Sequence, residues 1–172
     1  MNFKSSIIVW ALTVTLGGCA LFSSQPTYAP VDLQTQFLGT EHSAYLANGQ
    51  NTIKGQVILH NDNGGVINCS GNEVLLLPVT PYFREVISHI RKGHQVNYTK
   101  NISSAYSQIV KKTYCDAEGN FSFSGLPLCT WFIVTRTAWL NAGIQQGGTL
   151  VHELKSCPST PLVMDNVDIA GP

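Results

Sequence analysis

The stretch that decides the fold is Tyr114-Cys115-Asp116-Ala117-Glu118-Gly119-Asn120-Phe121-Ser122-Phe123-Ser124-Gly125-Leu126-Pro127-Leu128-Cys129-Thr130-Trp131-Phe132-Ile133-Val134. It reads as strand, turn, strand, turn, strand. Residues 116–119 carry turn chemistry, because Asp bonds its own backbone and Gly accepts positive φ. Phe121 and Phe123 are two apart and share one strand face. Gly125 and Pro127 punctuate again. Trp131, Ile133 and Val134 then sit in a run of β-formers.

Working outward, residues 52–59 alternate and open the domain, and 73–79 form a second strand whose Pro78 argues for an edge or a strand end. Residues 105–115 are expected as the third strand, 120–124 as the fourth, 129–138 as the fifth and 148–154 as the sixth. Residues 162–169 close the domain. Short strands separated by turn signals favour an all-β, seven-stranded antiparallel β-sandwich over an α/β fold, with no long amphipathic helix in view. The expected core lies on the faces of Phe121, Phe123, Trp131 and Ile133, with Val57, Leu59, Leu75 and Leu77.

The central stretch resembles the D-x-x-G-x-F…L-P-x-G-x-Y-x-V signature of carboxypeptidase regulatory-like modules, which are transthyretin-like (prealbumin-like) or Cna-B-like β-sandwiches. Asp116, Gly119, Phe121, Leu126 and Pro127 match. Trp131 stands where the family has Tyr, and Cys115 and Cys129 stand where it has Thr and Gly. Gly55-Gln56-Val57 resembles the G-x-V of the family's first strand. The resemblance spans roughly residues 52–154. It implies a fold and carries no peptidase activity, because the module is non-catalytic in that family.

Formal net charge is zero and charged residues make up only 12% of the chain. No long-range pull toward nucleic acid follows, and no nucleic-acid partner is expected. Residues 1–18 read as a signal peptide: a basic start, then an apolar segment too short to span a membrane. The segment ends in Leu16-Gly17-Gly18-Cys19, which resembles a bacterial lipobox. That resemblance implies cleavage before Cys19, a diacylglycerol on its sulfur and an acyl chain (typically palmitate) on its amine. Multiple chains on one residue anchor a protein firmly. The competing reading is an ordinary cleaved signal with an incidental Cys. Ala20 follows where Asp would signal inner-membrane retention, so the expected address is the periplasmic face of the outer membrane. Residues 19–50 are then a lipid-anchored tether with an edge segment at 31–38 and a helical turn near 41–49. Residues 51–172 form the domain.

Four further cysteines, Cys69, Cys115, Cys129 and Cys157, suit two disulfides in an exported protein. Strand directions choose the pairs. Cys69 precedes the second strand and Cys115 ends the third, which puts both at one pole. Cys129 and Cys157 then lie at the other. A strand spans about 17 Å, and bonded cysteines need Cα atoms within about 7 Å. The expected pairs are therefore Cys69–Cys115 and Cys129–Cys157. A zinc site is not expected, since no C-x-x-C pair occurs.

Catalysis needs converging groups, and the sequence offers few. His89 and His94 are five apart and fit no H-E-x-x-H pattern. His152 and Glu153 point to opposite faces of a strand. Asp62-Asn63-Gly64 lacks the terminal Glu of a calcium loop. No enzyme, cofactor or metal is expected. Residues 80–104 do depart from a plain sandwich, being far longer than a hairpin needs. They carry Tyr82, Phe83, Arg84, Arg91, Lys92, Tyr98 and Lys100. Six of the chain's ten Lys and Arg residues fall between Arg84 and Lys112. Long loops on rigid scaffolds carry binding, so this excursion is the expected partner surface. The leading functional expectation is a non-enzymatic, membrane-tethered binding or scaffolding module with an envelope protein partner, such as a subunit of a secretion apparatus. The alternative is a carbohydrate- or peptidoglycan-binding lipoprotein using Tyr82 or Trp139 as stacking platforms.

Overall fold

The computed structural model describes residues 29–97 and 104–171. In chain order these form β1 (Val31–Asp32), a 3-10 turn (Gly39–His42) running into α1 (Ser43–Leu46), β2 (Asn51–Val57), β3 (Leu59–His60), β4 (Val66–Ile67) and β5 (Glu73–Pro78). Then follow α2 (Pro81–Arg91), β6 (Val96–Asn97), α3 (Ser104–Ile109), β7 (Lys111–Tyr114), β8 (Asn120–Leu126), β9 (Trp131–Asn141) and β10 (Ile144–Leu154). β11 (Leu162–Met164), a 3-10 turn (Asn166–Asp168) and β12 (Ile169–Ala170) end the fold.

A five-stranded sheet in the order β12-β10-β9-β5-β7 faces a three-stranded sheet in the order β11-β2-β8. The architecture is mostly β and sandwich-like. Period-two alternation sends Val74, Leu76, Ile133 and Leu150 inward from the larger sheet, where they join Ile53, Val57, Phe121 and Phe123 in one buried cluster. Gly55 lies under the Phe121 ring, so any Cβ there would collide with it. Asp116 Oδ1 accepts from the backbone N–H of Glu118 and Asn120 at 3.0 and 2.7 Å, and Gly119 closes the turn at φ +79°. β9 and β10 meet through Ala142 and Gly143, both at positive φ, in the manner of a two-residue type I′ hairpin.

Disulfides join Cys69 to Cys115 and Cys129 to Cys157, with Cα atoms 5.7 and 4.8 Å apart. These are the pairs that strand polarity selects. Cys129 does not take positive φ.

Several expectations are corrected. Residues 105–115 are not one strand: α3 occupies their first half and only β7 is extended. The sandwich is not wholly antiparallel, since β11 pairs parallel with β2. An amphipathic helix does exist, because α2 fills much of the 80–104 excursion. It covers part of the outer face of the larger sheet. β5 is consequently apolar on both faces, which erases its alternation. The residues of β5 facing the sandwich interior are Val74 and Leu76, whereas Leu75 and Leu77 belong to the outer face. Segment 31–46 also packs on the body, burying Leu33, His42 and Tyr45.

Candidate functional site

Helix α2 starts where Pro81 takes its first position after an extended Thr80, a place where the missing N–H costs nothing. Tyr82, Phe83, Val86 and Ile87 follow at helical spacing and are all buried. The rings of Tyr82 and Phe83 meet Phe37 edge-on, with centroids 5.2 and 6.3 Å away. His42 stacks on Phe37 at 4.3 Å. Its Nδ1–H donates to the Leu38 carbonyl at 2.7 Å, so Nε2 accepts from the Thr80 hydroxyl at 3.1 Å. Tyr82 and Phe83 are therefore core residues. The expectation that they face a partner, or that Tyr82 stacks on a sugar, is overturned by burial of the apolar helix face. Tyr45 packs at the same end of the sheet, its ring edge-on to Trp131 at 4.7 Å and its hydroxyl accepting from the Val79 N–H at 3.1 Å.

The opposite face of α2 keeps the cations. Arg84 lies over the Phe132 ring at 5.6 Å and pairs with Glu153 at 2.9 Å. Arg91 and Lys92 line the same shallow hollow and make no ion pair with any described residue. Arg84, Arg91 and Lys92 thus do converge on one exposed ridge. Cys19, Tyr98 and Lys100 lie outside the described residues.

Where α2 stops, the outer face of the five-stranded sheet is left open. Its floor is Leu75, Val134 and Ala138, and Asn72, Glu73, Arg136 and Thr149 stand around them over a cavity of about 480 Å³. A second hollow of about 560 Å³ adjoins it, sharing Arg136 and Thr149 and walled by His94 and Gln95. Cross-strand register puts Tyr114 opposite Glu73 and Lys112 opposite Leu75, on this same face. Tyr114 is 59% exposed. The Glu73 carboxylate is held between the Tyr114 hydroxyl and Lys112 Nζ, each at 3.5 Å. The Arg136 guanidinium makes no hydrogen bond or ion pair with any described residue. The arrangement is an apolar floor with a flat aromatic at its rim and fixed polar groups of both signs. Of the polar residues of this shelf the sequence reading marks only Lys112, within the basic run.

Trp139 is half-buried on the inner face of β9, against Gly147, with its Nε1 buried and without a partner among the described residues. It is not placed as an exposed platform.

Two carboxylates are perturbed. Burial raises Glu85, but hydrogen bonds from the backbone N–H of Gln34 and Thr35, at 2.8 and 2.7 Å, outweigh it and hold its pKa below the usual range. Hydrogen bonds from the Asn120 side chain and backbone hold Asp116 below its usual range as well. Elsewhere His152 Nδ1 meets Asp168 at 2.9 Å, and His89 Nδ1 meets His94 Nδ1 at 3.3 Å. No group of three His, Cys, Asp or Glu side chains is placed to hold a metal among the described residues. No helix among them is long and apolar enough to cross a membrane.

No family model matches this sequence, and no curated protein matches it. A solved structure does. A crystal structure of a "putative carbohydrate binding protein" from Pseudomonas aeruginosa superposes with a TM-score of 0.62 at 19% identity, over 77% of this chain and 99% of that one. The two share a fold.

Proposed function

We propose that this chain is a non-enzymatic envelope lipoprotein that binds carbohydrate on the open face of its five-stranded sheet. In this reading it is a carboxypeptidase regulatory-like, transthyretin-like sandwich, anchored through Cys19 at the periplasmic face of the outer membrane. The observation that carries the binding site is the shelf itself: exposed Tyr114, Arg136 without an ion pair among the described residues, and Glu73, Asn72 and Thr149 around an apolar floor. A sugar ring presents an apolar C–H face and a rim of hydroxyls. An aromatic plane suits the first, and fixed donors and acceptors suit the second. Rigid strands hold these groups without an ordering cost at binding. The likeness to the Pseudomonas protein adds weight to this reading through its fold.

Calorimetry of the mature protein against soluble peptidoglycan fragments and lipopolysaccharide-derived oligosaccharides tests it. Binding by wild type, weakened tenfold or more in Tyr114→Ala and Arg136→Ala, is expected. If wild type binds no saccharide of either set, or the variants bind as well as wild type, the shelf is not a glycan site.

A second reading rests on the ridge of Arg84, Arg91 and Lys92, which suits an acidic envelope protein. Such binding weakens with salt, because exposed charges are screened over about 8 Å at physiological ionic strength. With Tyr82 and Phe83 buried, this surface lacks, among the described residues, the aromatic anchors that carry protein interfaces, which is why the shelf is favoured.

A further inference from the structure

The C-terminus of α2 does something that the spacing of its histidines conceals. Lys92 ends the helix, and Gly93 follows at φ +71°. The Gly93 N–H bonds the Ile90 carbonyl at 2.9 Å, and the His94 N–H bonds the His89 carbonyl at 3.0 Å. This is the Schellman arrangement, in which the chain folds back and the residue after the glycine lies beside the residue three from the helix end. That side-chain contact is ordinarily apolar. Here both positions are histidine. Their rings are 5.6 Å apart by centroid, inclined by 32°, with the two Nδ1 atoms 3.3 Å apart.

We propose that His89 and His94 form a binding site for one divalent transition-metal ion of the zinc or copper type, with the two Nδ1 atoms as ligands and solvent completing the shell. The separation fits. Two zinc–nitrogen bonds of about 2.0–2.1 Å at a tetrahedral angle place their nitrogens roughly 3.3 Å apart. The tautomer fits as well. Glu85 Oε1 lies 3.7 Å from His89 Nε2 on the far side of the ring. The charge of a carboxylate there favours the proton on Nε2 and leaves the Nδ1 lone pair facing His94. Glu85 is itself fixed by the Gln34 and Thr35 amides. His94 lines the open hollow beside Arg136, so an ion and its waters have a route in. Imidazole is a preferred ligand for zinc and copper. With two protein ligands, one fewer than hold catalytic zinc, the remaining positions of the shell fall to water. The absence of H-E-x-x-H and C-x-x-C patterns does not bear on this pair, because a helix cap and not helical periodicity brings it together.

The test is a Zn²⁺ titration of the mature protein, followed by histidine side-chain nitrogen and carbon NMR signals. His89 and His94 signals are expected to shift together and saturate at one ion per chain, with His42, His60 and His152 unmoved. His89→Gln and His94→Gln should each weaken binding tenfold or more. The wild-type spectrum needs no variant to fold. Zinc that moves neither signal, or variants that bind as wild type does, overturns the proposal and leaves the pair as a hydrogen bond only.

Discussion

Asp116 and Glu85 do opposite things with the same chemistry. Asp116 organises its own turn, accepting from Glu118 and Asn120 within four residues. Glu85 reaches fifty residues back to the amides of Gln34 and Thr35. The first was legible in the sequence, because a local side chain, a glycine and a strand suffice to specify it. The second was not, because nothing near Glu85 announces its distant partners. Both carboxylates have folded pKa values below their unfolded ones, so their stabilisation is complete above the unfolded value and lost as pH falls through the folded one. We predict that the urea midpoint declines below about pH 4, and that the decline is shallower in Glu85→Gln; equal slopes would show that the Glu85 contacts contribute nothing. His42 is a second residue-scale case. Both ring nitrogens are used, at Leu38 and Thr80, in a fully buried site. His42→Leu strands a carbonyl and a hydroxyl, and should cost about 2–3 kcal/mol in chemical denaturation.

Helix α2 shows how charge can distract from period. Residues 82, 83, 86, 87 and 90 fall on one helical stripe, yet the same segment carries the densest cations in the chain. Reading the cations gives an exposed loop, while reading the stripe gives a helix with a buried face. The structure satisfies both by sending them to opposite sides. The energetics should divide the same way. Phe83→Ala should cost about 3–5 kcal/mol, as truncation of buried aromatics does. Arg84→Ala should cost under about 1 kcal/mol, because its pair with Glu153 is half-exposed. Denaturation of the two variants side by side checks this, and comparable losses would mean that the ridge supports the fold. The shelf was illegible for a related reason. Tyr114 and Arg136 become neighbours of one surface only when β7, β5 and β9 are laid in order, and no local pattern fixes strand order.

At the scale of the molecule, a β-sandwich and its disulfides could be read from turn residues and strand polarity, since each strand's direction follows from the one before. The covering of the larger sheet by α2 could not, because it depends on the distant contacts of Phe37 and His42. The lipid anchor remains a sequence proposition with a plain check: Cys19→Ser should move the protein from the membrane pellet to the soluble fraction, whereas unchanged pelleting without acyl label in wild type would refute it. The two disulfides have a mechanical consequence. They enclose separations of 46 and 28 residues and lie one after the other along the chain. A chain pulled from its two ends can then extend only through the residues outside those rings. At about 3.5 Å per extended residue, the oxidised chain should yield roughly 250 Å less contour length than the reduced one when stretched in an optical trap. The oxidation state of four cysteines thus sets how far this chain can lengthen under load.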